Sequence, residues 1–306
     1  MEVVKLKPVV KDYIWGGDKL KRLYGRSGGD CIAESWELSV HPDGVSGVGD
    51  GTLCEYLAAN PHAVDVRGGE LPVLIKYIDA KSKLSVQVHP DDAYARAHEN
   101  DNGKTEMWYI ISADNGAGIY CGFKRDTTRE EFISRVKSGT VEEMLNFIPV
   151  RGGDCFLIKA GTVHAIGAGC VICEVQQSSN VTYRAYDYDR VGADGKPRQL
   201  HLEKAAEVIN YSAFRDETDS GAATVFGGGE IRRLTECEHF RCRELIVDGE
   251  YCEVSVMSFV AINVINGDGD VNGMEFTSGD SFFVPCGISF RIRGKAKIIL
   301  TDGNAK

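Results

Sequence analysis

The sequence predicts a mainly β protein with two tandem jelly-roll barrels and a small helical insertion. Its 306 residues include 35 glycines but only 8 prolines, and short apolar runs alternate with Gly, Asp and Asn. This pattern indicates many short strands joined by turns, as in sandwiches and barrels. Helical spacing is limited, and one strand–turn unit occurs twice. The length suits two domains of about 100–200 residues each.

Apolar runs of strand length are the first elements of these barrels. Each is bounded by turn-forming residues and is too short for a core helix. The predicted strands span 71–78, 84–88, 106–112, 118–122, 154–159, 171–176, 253–265 (as two strands), 281–284 and 298–301.

Helical spacing is confined to three segments. In the first, Thr128 precedes acidic residues, as at a helix start, Phe132 and Val136 share a face, and Gly139 is a stop signal. The predicted helices span 129–138, 141–147 and 202–210, and the insertion covers about 126–148.

An internal repeat supports two similar domains. The run Gly-Asp-Cys-Phe-Leu-Ile-Lys-Ala-Gly-Thr-Val-His at 153–164 aligns without gaps with Gly-Asp-Ser-Phe-Phe-Val-Pro-Cys-Gly-Ile-Ser-Phe at 279–290. Each copy predicts a tight turn, a buried strand and a second turn that returns the chain. The inward position after that turn is His164 in one copy and Phe290 in the other. One barrel therefore has a possible metal-binding side chain at the position where the other has an apolar side chain that fills the interior. The pattern resembles the cupin barrel.

These observations divide the chain into three parts. Residues 1–214 are predicted to form a metal-binding catalytic barrel, and residues 230–306 a second, metal-free barrel. The segment 215–229 lacks periodicity and ends in Phe-Gly-Gly-Gly, which favours an inter-domain linker.

The composition excludes several classes of partner. A formal charge of −10 and a pI near 5.3 argue against binding to a nucleic-acid backbone. The chain has no apolar run of about 18 residues, as a membrane span needs, and no signal peptide at Met1. The ten cysteines lie scattered in apolar stretches, and the C-x-x-C of Cys170 and Cys173 is interpreted as structural. We expect a cytoplasmic protein, as a monomer or weak homodimer.

Four residues form a candidate metal site. Strand alternation places Gln87 and His89 on one face with Ser85, opposite apolar residues, while Glu106 and His164 occupy strand positions elsewhere. Taken singly, each histidine is better explained as an ordinary polar residue than as a metal ligand. Together, one amide, two imidazoles and one carboxylate suit Zn²⁺, with Mn²⁺, Fe²⁺ or Co²⁺ as substitutes. The absence of thiolates favours a catalytic site over a structural one.

Four runs make the chain similar to type I mannose-6-phosphate isomerases of the short bacterial form. They are Lys-Leu-Ser-Val-Gln-Val-His-Pro-Asp-Asp at 83–92, Gly-Lys-Thr-Glu-Met-Trp at 103–108, Ala-Gly-Thr-Val-His-Ala-Ile-Gly at 160–167 and Glu-Val-Gln-Gln-Ser-Ser-Asn-Val-Thr-Tyr-Arg at 174–184. Their order and spacing agree with that family, and the resemblance extends from Pro8 into the second barrel.

The resemblance implies one Zn²⁺ per chain and interconversion of mannose 6-phosphate and fructose 6-phosphate. It places the active-site arginine at Arg184, the lysine at Lys104 and the phosphate-proximal serine at Ser85. The implied metal ligands are Gln87, His89, Glu106 and His164.

Such an isomerisation moves a proton between C1 and C2 through an enediol(ate), with an acid, a base and stabilisation of the developing charge. The metal would polarise the sugar oxygens and Arg184 would stabilise the charge. Lys104 either acts as acid and base with a lowered pKa or pairs with the sugar or phosphate. The proton-abstracting group stays open, with a metal-bound hydroxide among the candidates.

Two alternative functions are compatible with the same residues. They are a cupin isomerase for another sugar phosphate and a non-catalytic cupin that binds a sugar. Compared with the long enzymes of the family, the helical region is short and the segment 34–42 departs from their pattern. This leaves the roles of Trp36 and His41 open. The remaining histidines, expected to face solvent, are His62, His98, His201 and His239.

Overall fold

Antiparallel strands dominate the computed structural model, which describes residues 1–65, 69–192 and 195–303. The strands are β1 (Val4–Lys7), β2 (Val9–Lys11), β3 (Glu34–Leu38), β4 (Gly47–Val48), β5 (Gly51–Thr52), β6 (Val73–Ala80), β7 (Val86–Val88), β8 (Glu106–Ala113), β9 (Gly118–Phe123), β10 (Leu145–Pro149), β11 (Cys155–Ile158), β12 (His164–Ile166), β13 (Cys170–Gln177), β14 (Tyr183–Tyr186), β15 (Thr224–Phe226), β16 (Gly229–Glu236), β17 (Phe240–Val254), β18 (Val260–Val271), β19 (Met274–Thr277), β20 (Ser281–Val284) and β21 (Ser289–Gly303). The mainly β class is confirmed, and every predicted strand overlaps an observed one.

The helices are short and lie between strands. They are α1 (Lys19–Tyr24), α2 (Leu53–Ala59), α3 (Asp92–His98), α4 (Arg129–Lys137), α5 (Leu202–Val208) and one 3₁₀ turn, Val141–Met144. The predicted Thr128 cap is confirmed, because its side chain accepts a hydrogen bond from the Glu131 amide. Over the ranges the structure describes, no helix is long and apolar enough to cross a membrane.

The described strands form three sheets. One has five strands in the order β10-β9-β12-β7-β14, and a second has six in the order β11-β8-β13-β6-β3-β2. The third sheet has ten strands, mainly from the C-terminal third, and the N-terminal strand β1 pairs with its β20. The division of the chain at residues 214 and 229 stays a prediction.

Alternation along the strands explains how the sheets pack. One core cluster joins the inner faces of the five- and six-stranded sheets, through side chains such as Ile119 and Trp108. The outer face of the five-stranded sheet packs against α4 and α5, where Val86 and Val88 meet Phe132. The outer face of the six-stranded sheet, together with C-terminal residues, forms a further cluster, which includes Tyr77, Tyr109, Phe240 and Phe283.

The internal repeat is confirmed as a repeat of conformation. Gly153 and Gly279 have φ of 96° and 92°, and Gly161 and Gly287 have φ of 85° and 78°. These positive angles strain residues with a Cβ, so glycine is required at both turns of both copies. The equivalent residues His164 and Phe290 are both buried.

One local prediction is wrong, and the predicted linker region contains a strand that the sequence did not predict. The helix predicted over 141–147 is a single 3₁₀ turn followed by β10, which pairs with β9 and so extends the five-stranded sheet. The segment 215–229 is not wholly irregular, because β15 and β16 form a hairpin across Gly227 and Gly228. In both places strand pairing with a neighbour overrides the local pattern.

Candidate active site

Register within the five-stranded sheet places three of the predicted site residues side by side. His164 on β12 lies opposite Gln87 on β7, and Gln87 lies opposite Arg184 on β14. Ser85 and His89 flank Gln87 along the chain, and all three are opposed by the buried Val86 and Val88 on the outer face.

The six-stranded sheet supplies the acidic side of the site. Glu106 begins β8 and lies opposite Gln176 on β13, while Glu174 on β13 lies opposite Lys76 on β6. Lys104 lies two residues before the start of β8. The site therefore forms where the two sheets face each other.

Three metal-binding side chains converge at this point. The ligand atoms of His89, Glu106 and His164 lie within 4.8 Å of one another, and all three residues are buried. The Nε2 atoms of both histidines are 3.4 Å from oxygens of Glu106, His89 from Oε2 and His164 from Oε1. These donors surround a point that a single cation can share.

Backbone carbonyls fix the orientation of both imidazoles. Nδ1 of His89 lies 2.8 Å from the carbonyl oxygen of Val181, and Nδ1 of His164 lies 2.8 Å from that of Thr162. A carbonyl only accepts, so Nδ1 donates in both rings. The Nε2 lone pairs then face Glu106, as in histidines that bind metals.

The donor set fits a metal ion. Oε1 of Glu106 is buried and accepts no hydrogen bond from the residues described. An orphaned carboxylate oxygen of this kind is costly unless a cation binds it. The Gln87 amide is the fourth group in contact, with Nε2 3.3 Å from Nε2 of His164 and Oε1 3.4 Å from Oγ of Ser85.

Burial and one lysine control the charges of this cluster. Burial, assisted by Lys104, lowers the pKa of His89 to about 3, and burial also lowers the pKa of His164. Burial alone would raise the pKa of Glu106, but the ammonium group of Lys104 beside it holds that pKa well below its usual value. Both imidazoles are thus neutral and the carboxylate is ionised, which are the protonation states that bind metals.

The pKa of Lys104 is raised, whereas one of the two roles considered from the sequence required a lowered pKa. Its Nζ lies 2.7 Å from Oε2 of Glu106 and 3.2 Å from Nε2 of His89. Although burial opposes its charge, Glu106 and Glu174 hold the pKa of Lys104 above its ordinary value. The residue is therefore an ammonium that is ion-paired with Glu106 and lies within hydrogen-bond distance of His89.

A cavity of about 280 Å³ adjoins the cluster. Of the predicted site residues, Ser85, Gln87, Lys104 and Arg184 line it. His89, Glu106 and His164 do not line it, but Gln87 and Lys104 contact them. Several lining residues were not predicted from the sequence: Tyr13, Trp15, Glu34, Lys76, Glu174, Arg198 and His201.

Glu174 and Lys76 illustrate what sequence analysis missed. Glu174 is buried, accepts from the Trp108 indole at 2.9 Å, and lies 3.7–3.8 Å from the ammonium groups of Lys76 and Lys104. Two charged residues within otherwise apolar strands were the available signal, because buried charges are rare without a partner. Trp36 supports the same network, since Nζ of Lys76 lies 4.8 Å from its ring centroid.

The four remaining histidines differ in exposure, and the two cysteines of the C-x-x-C are buried. His62 and His98 are exposed as predicted, but His239 is half-buried. His201 lines the cavity, and its backbone amide donates to the Arg184 carbonyl at 2.7 Å, so the expectation that it faces solvent is wrong. Cys170 and Cys173 are buried on opposite faces of β13, in different core clusters, which supports a structural role.

Comparison with known proteins identifies relatives along the whole chain. A family model described as phosphomannose isomerase type I, catalytic domain, matches residues 3–125. Mannose-6-phosphate isomerase ManA of Bacillus subtilis (strain 168) is 36% identical over 319 residues, covering 98% of each chain. The crystal structure of a Bacillus subtilis mannose 6-phosphate isomerase matches with a TM-score of 0.93 at 33% identity, covering 98% of this chain and 99% of that one. A mannose 6-phosphate isomerase bound with zinc and yttrium shares the fold, with a TM-score of 0.76 at 17% identity and coverage of 99% and 100%.

Proposed function

The chain belongs to the phosphomannose isomerase type I family, and from this premise we propose that it interconverts mannose 6-phosphate and fructose 6-phosphate with one bound Zn²⁺. The observation that carries the proposal is the buried cluster of His89, Glu106 and His164 beside a cavity lined by Lys104 and Arg184. A protein that only binds a sugar has no need for such a cluster.

Zinc is proposed because the donors are nitrogen and oxygen atoms without thiolates. His89, Glu106 and His164, with the Gln87 amide, would hold the ion. When bound, it would supply Lewis-acid polarisation of the sugar oxygens at C1 and C2. The distant relative of the same fold that binds zinc is in keeping with this choice.

Arg184 and Lys104 are proposed as the catalytic side chains. Transfer of a proton between C1 and C2 creates an enediolate whose negative oxygen must be stabilised. Arg184 lies beside Gln87 in register and forms no salt bridge with the residues the structure describes, so its charge is available to that oxygen. Lys104, held as an ammonium, serves as a hydrogen-bond donor or acid rather than as the base.

Substrate positioning involves the cavity wall between the two sheets. Ser85 lies on the same inner face as Gln87, two residues before it in the chain. We propose that Ser85 contacts the substrate near the substrate's phosphate group. We also propose that the enzyme is cytoplasmic, acts on a small sugar phosphate without nucleic-acid or membrane partners, and is a monomer or weak homodimer. Its charge of −10 supports the exclusion of nucleic acid.

A coupled assay of mannose 6-phosphate conversion tests this function. Activity should disappear after treatment with a chelator and return with added Zn²⁺, whereas Mg²⁺ serves as the control ion. Lack of turnover by the zinc-loaded protein would refute the proposal. Parallel assays with other hexose phosphates would then show whether a different sugar is the substrate, and calorimetry would detect binding without turnover.

A further inference from the structure

A second guanidinium, Arg198, lines the cavity beyond Arg184. Its Nε donates to Oδ2 of Asp187 at 2.7 Å, and its Nη2 donates to Oδ1 of the same carboxylate. Asp187 is buried, with its side chain 5% exposed. Such a two-point contact holds the planar guanidinium in one orientation.

The loop that carries Asp187 is itself held in place. Tyr188 and Asp189 both have positive φ, 58° and 53°, which is costly for residues with a side chain. Arg190 secures the loop, because its guanidinium donates to Asp187 and to the backbone carbonyl of Lys83. Burial works to raise the pKa of Asp187, but the hydrogen bonds from Arg198 and Arg190 hold it below its usual value.

The backbone that follows Arg198 runs along the side of β14 that faces away from β7 and Gln87. The segment 199–201 runs beside β14, with the His201 amide 2.7 Å from the Arg184 carbonyl and Nη1 of Arg184 2.9 Å from the Gln199 carbonyl. Since neighbouring strands are about 4.8 Å apart, this segment lies about 10 Å from Gln87 across the sheet. An open-chain hexose 6-phosphate spans such a distance.

The charge at this end of the cavity suits a dianion. One carboxylate, Asp187, is shared by Arg190 and Arg198, which leaves one positive charge on that group, and Arg184 adds another. The lysines of the cavity differ, because Lys76 and Lys104 are paired with buried glutamates. A phosphate monoester carries between one and two negative charges at neutral pH.

We propose that Arg198 binds the phosphate group of the substrate, and that Asp187 is the positioning residue that fixes Arg198 for this contact. The proposal rests on the proposed function and deepens it. Ser85 is neutral and cannot balance a phosphate by itself, whereas the guanidinium fork matches phosphate oxygens in geometry and charge. The reacting carbons then lie toward Gln87 and the metal-binding cluster.

Calorimetry with inorganic phosphate and steady-state kinetics with mannose 6-phosphate test this assignment. Arg198→Gln should weaken phosphate binding by about 10- to 100-fold, the loss expected for one charge-assisted contact. It should raise KM by a similar factor and leave kcat near the wild-type value, because the lost contact lies away from the reacting carbons. If Arg198→Gln does not fold, Arg198→Met keeps the apolar stem and gives the same readouts. Wild-type phosphate affinity in either folded variant would overturn the proposal.

Two further variants separate phosphate contact from loop stability. Arg190→Gln is the comparison, because Arg190 shares Asp187 and secures the loop but does not line the cavity. It should weaken phosphate binding less than Arg198→Gln does, and a loss equal to that of Arg198→Gln would contradict a direct contact.

Asp187→Asn should raise KM by itself but add little in the Arg198→Gln background, since the two residues act as a pair. Additive losses in the double variant would refute the positioning role. Phosphate binding that depends on Arg198 without any turnover of mannose 6-phosphate would refute the proposed function and keep this site.

Discussion

Glu106→Gln removes the negative charge of the buried cluster while preserving the volume of the side chain. Glu106 is fully buried and Lys104 is 4% exposed, so water does not compensate either charge. Breaking a buried pair by removing one partner costs about 3–5 kcal/mol. Lys104 keeps Glu174 at 3.8 Å as a weaker partner, which places the expected loss near the lower end.

The loss is measured on chelator-treated protein, where no metal contributes. At about 2–4 °C for each kcal/mol, we expect the Tm of Glu106→Gln to fall by about 6–12 °C. Glu203→Gln is the matched control, because Glu203 pairs with Arg129 at the surface with its side chain 73% exposed. An exposed pair contributes about 0–1 kcal/mol, so its Tm should hardly change.

Zinc content provides the second readout. Glu106→Gln should bind less zinc per chain than wild type after loading and dialysis, since the amide is a weaker ligand than the carboxylate. A Tm as close to wild type as that of Glu203→Gln would refute the reasoning about the buried pair. Full zinc occupancy with unchanged affinity would refute Glu106 as a ligand.

Three further predictions concern catalysis, pH and local stability. Arg184→Ala should keep its zinc and lose most turnover in the coupled assay, and near-wild-type activity would show that Arg184 is misassigned. In the metal-free protein, the pKa of His89 is lowered from 6.5 to about 3. Between pH 3 and pH 6.5 the unfolded chain therefore binds one proton more than the folded chain. Urea denaturation should show full stability above pH 6.5 and a loss of about 1.4 kcal/mol per pH unit below it, and equal stability at pH 5 and 7 would contradict this. Thr128→Ala should cost about 1 kcal/mol in thermal unfolding through loss of the α4 cap, with Ser134→Ala on the exposed face as the control; no difference between the two would refute the role of the cap.

Much of the fold was predictable because its signals are local. Alternation with a period of two identified β7 and its inner face, and paired glycines identified the turns around β11 and β20. Elements without such a signal were either not predicted or predicted incorrectly. The segment that forms β10 has helical spacing, yet the open edge of β9 supplies hydrogen bonds that make it a strand.

The candidate ligands were also accessible from the sequence, through residue type and the resemblance to a family. Their partners were not. Glu174 meets Lys76 and Trp108 only because β13 lies between β6 and β8, and the order of strands in a sheet is not encoded in any one strand. The raised pKa of Lys104 depends on the same arrangement, since Glu106 and Glu174 reach it from two strands.

The sequence by itself determined the mainly β class, the repeated strand–turn unit and the residue types of a metal site. These follow from backbone and side-chain preferences over a few residues. Only the tertiary structure decided that His164, Gln87 and Arg184 share one row, and that Asp187 aligns Arg198 at the end of the cavity. The physical reason is that register and charge pairing depend on contacts between segments far apart in the chain, which exist only after the sheets have formed.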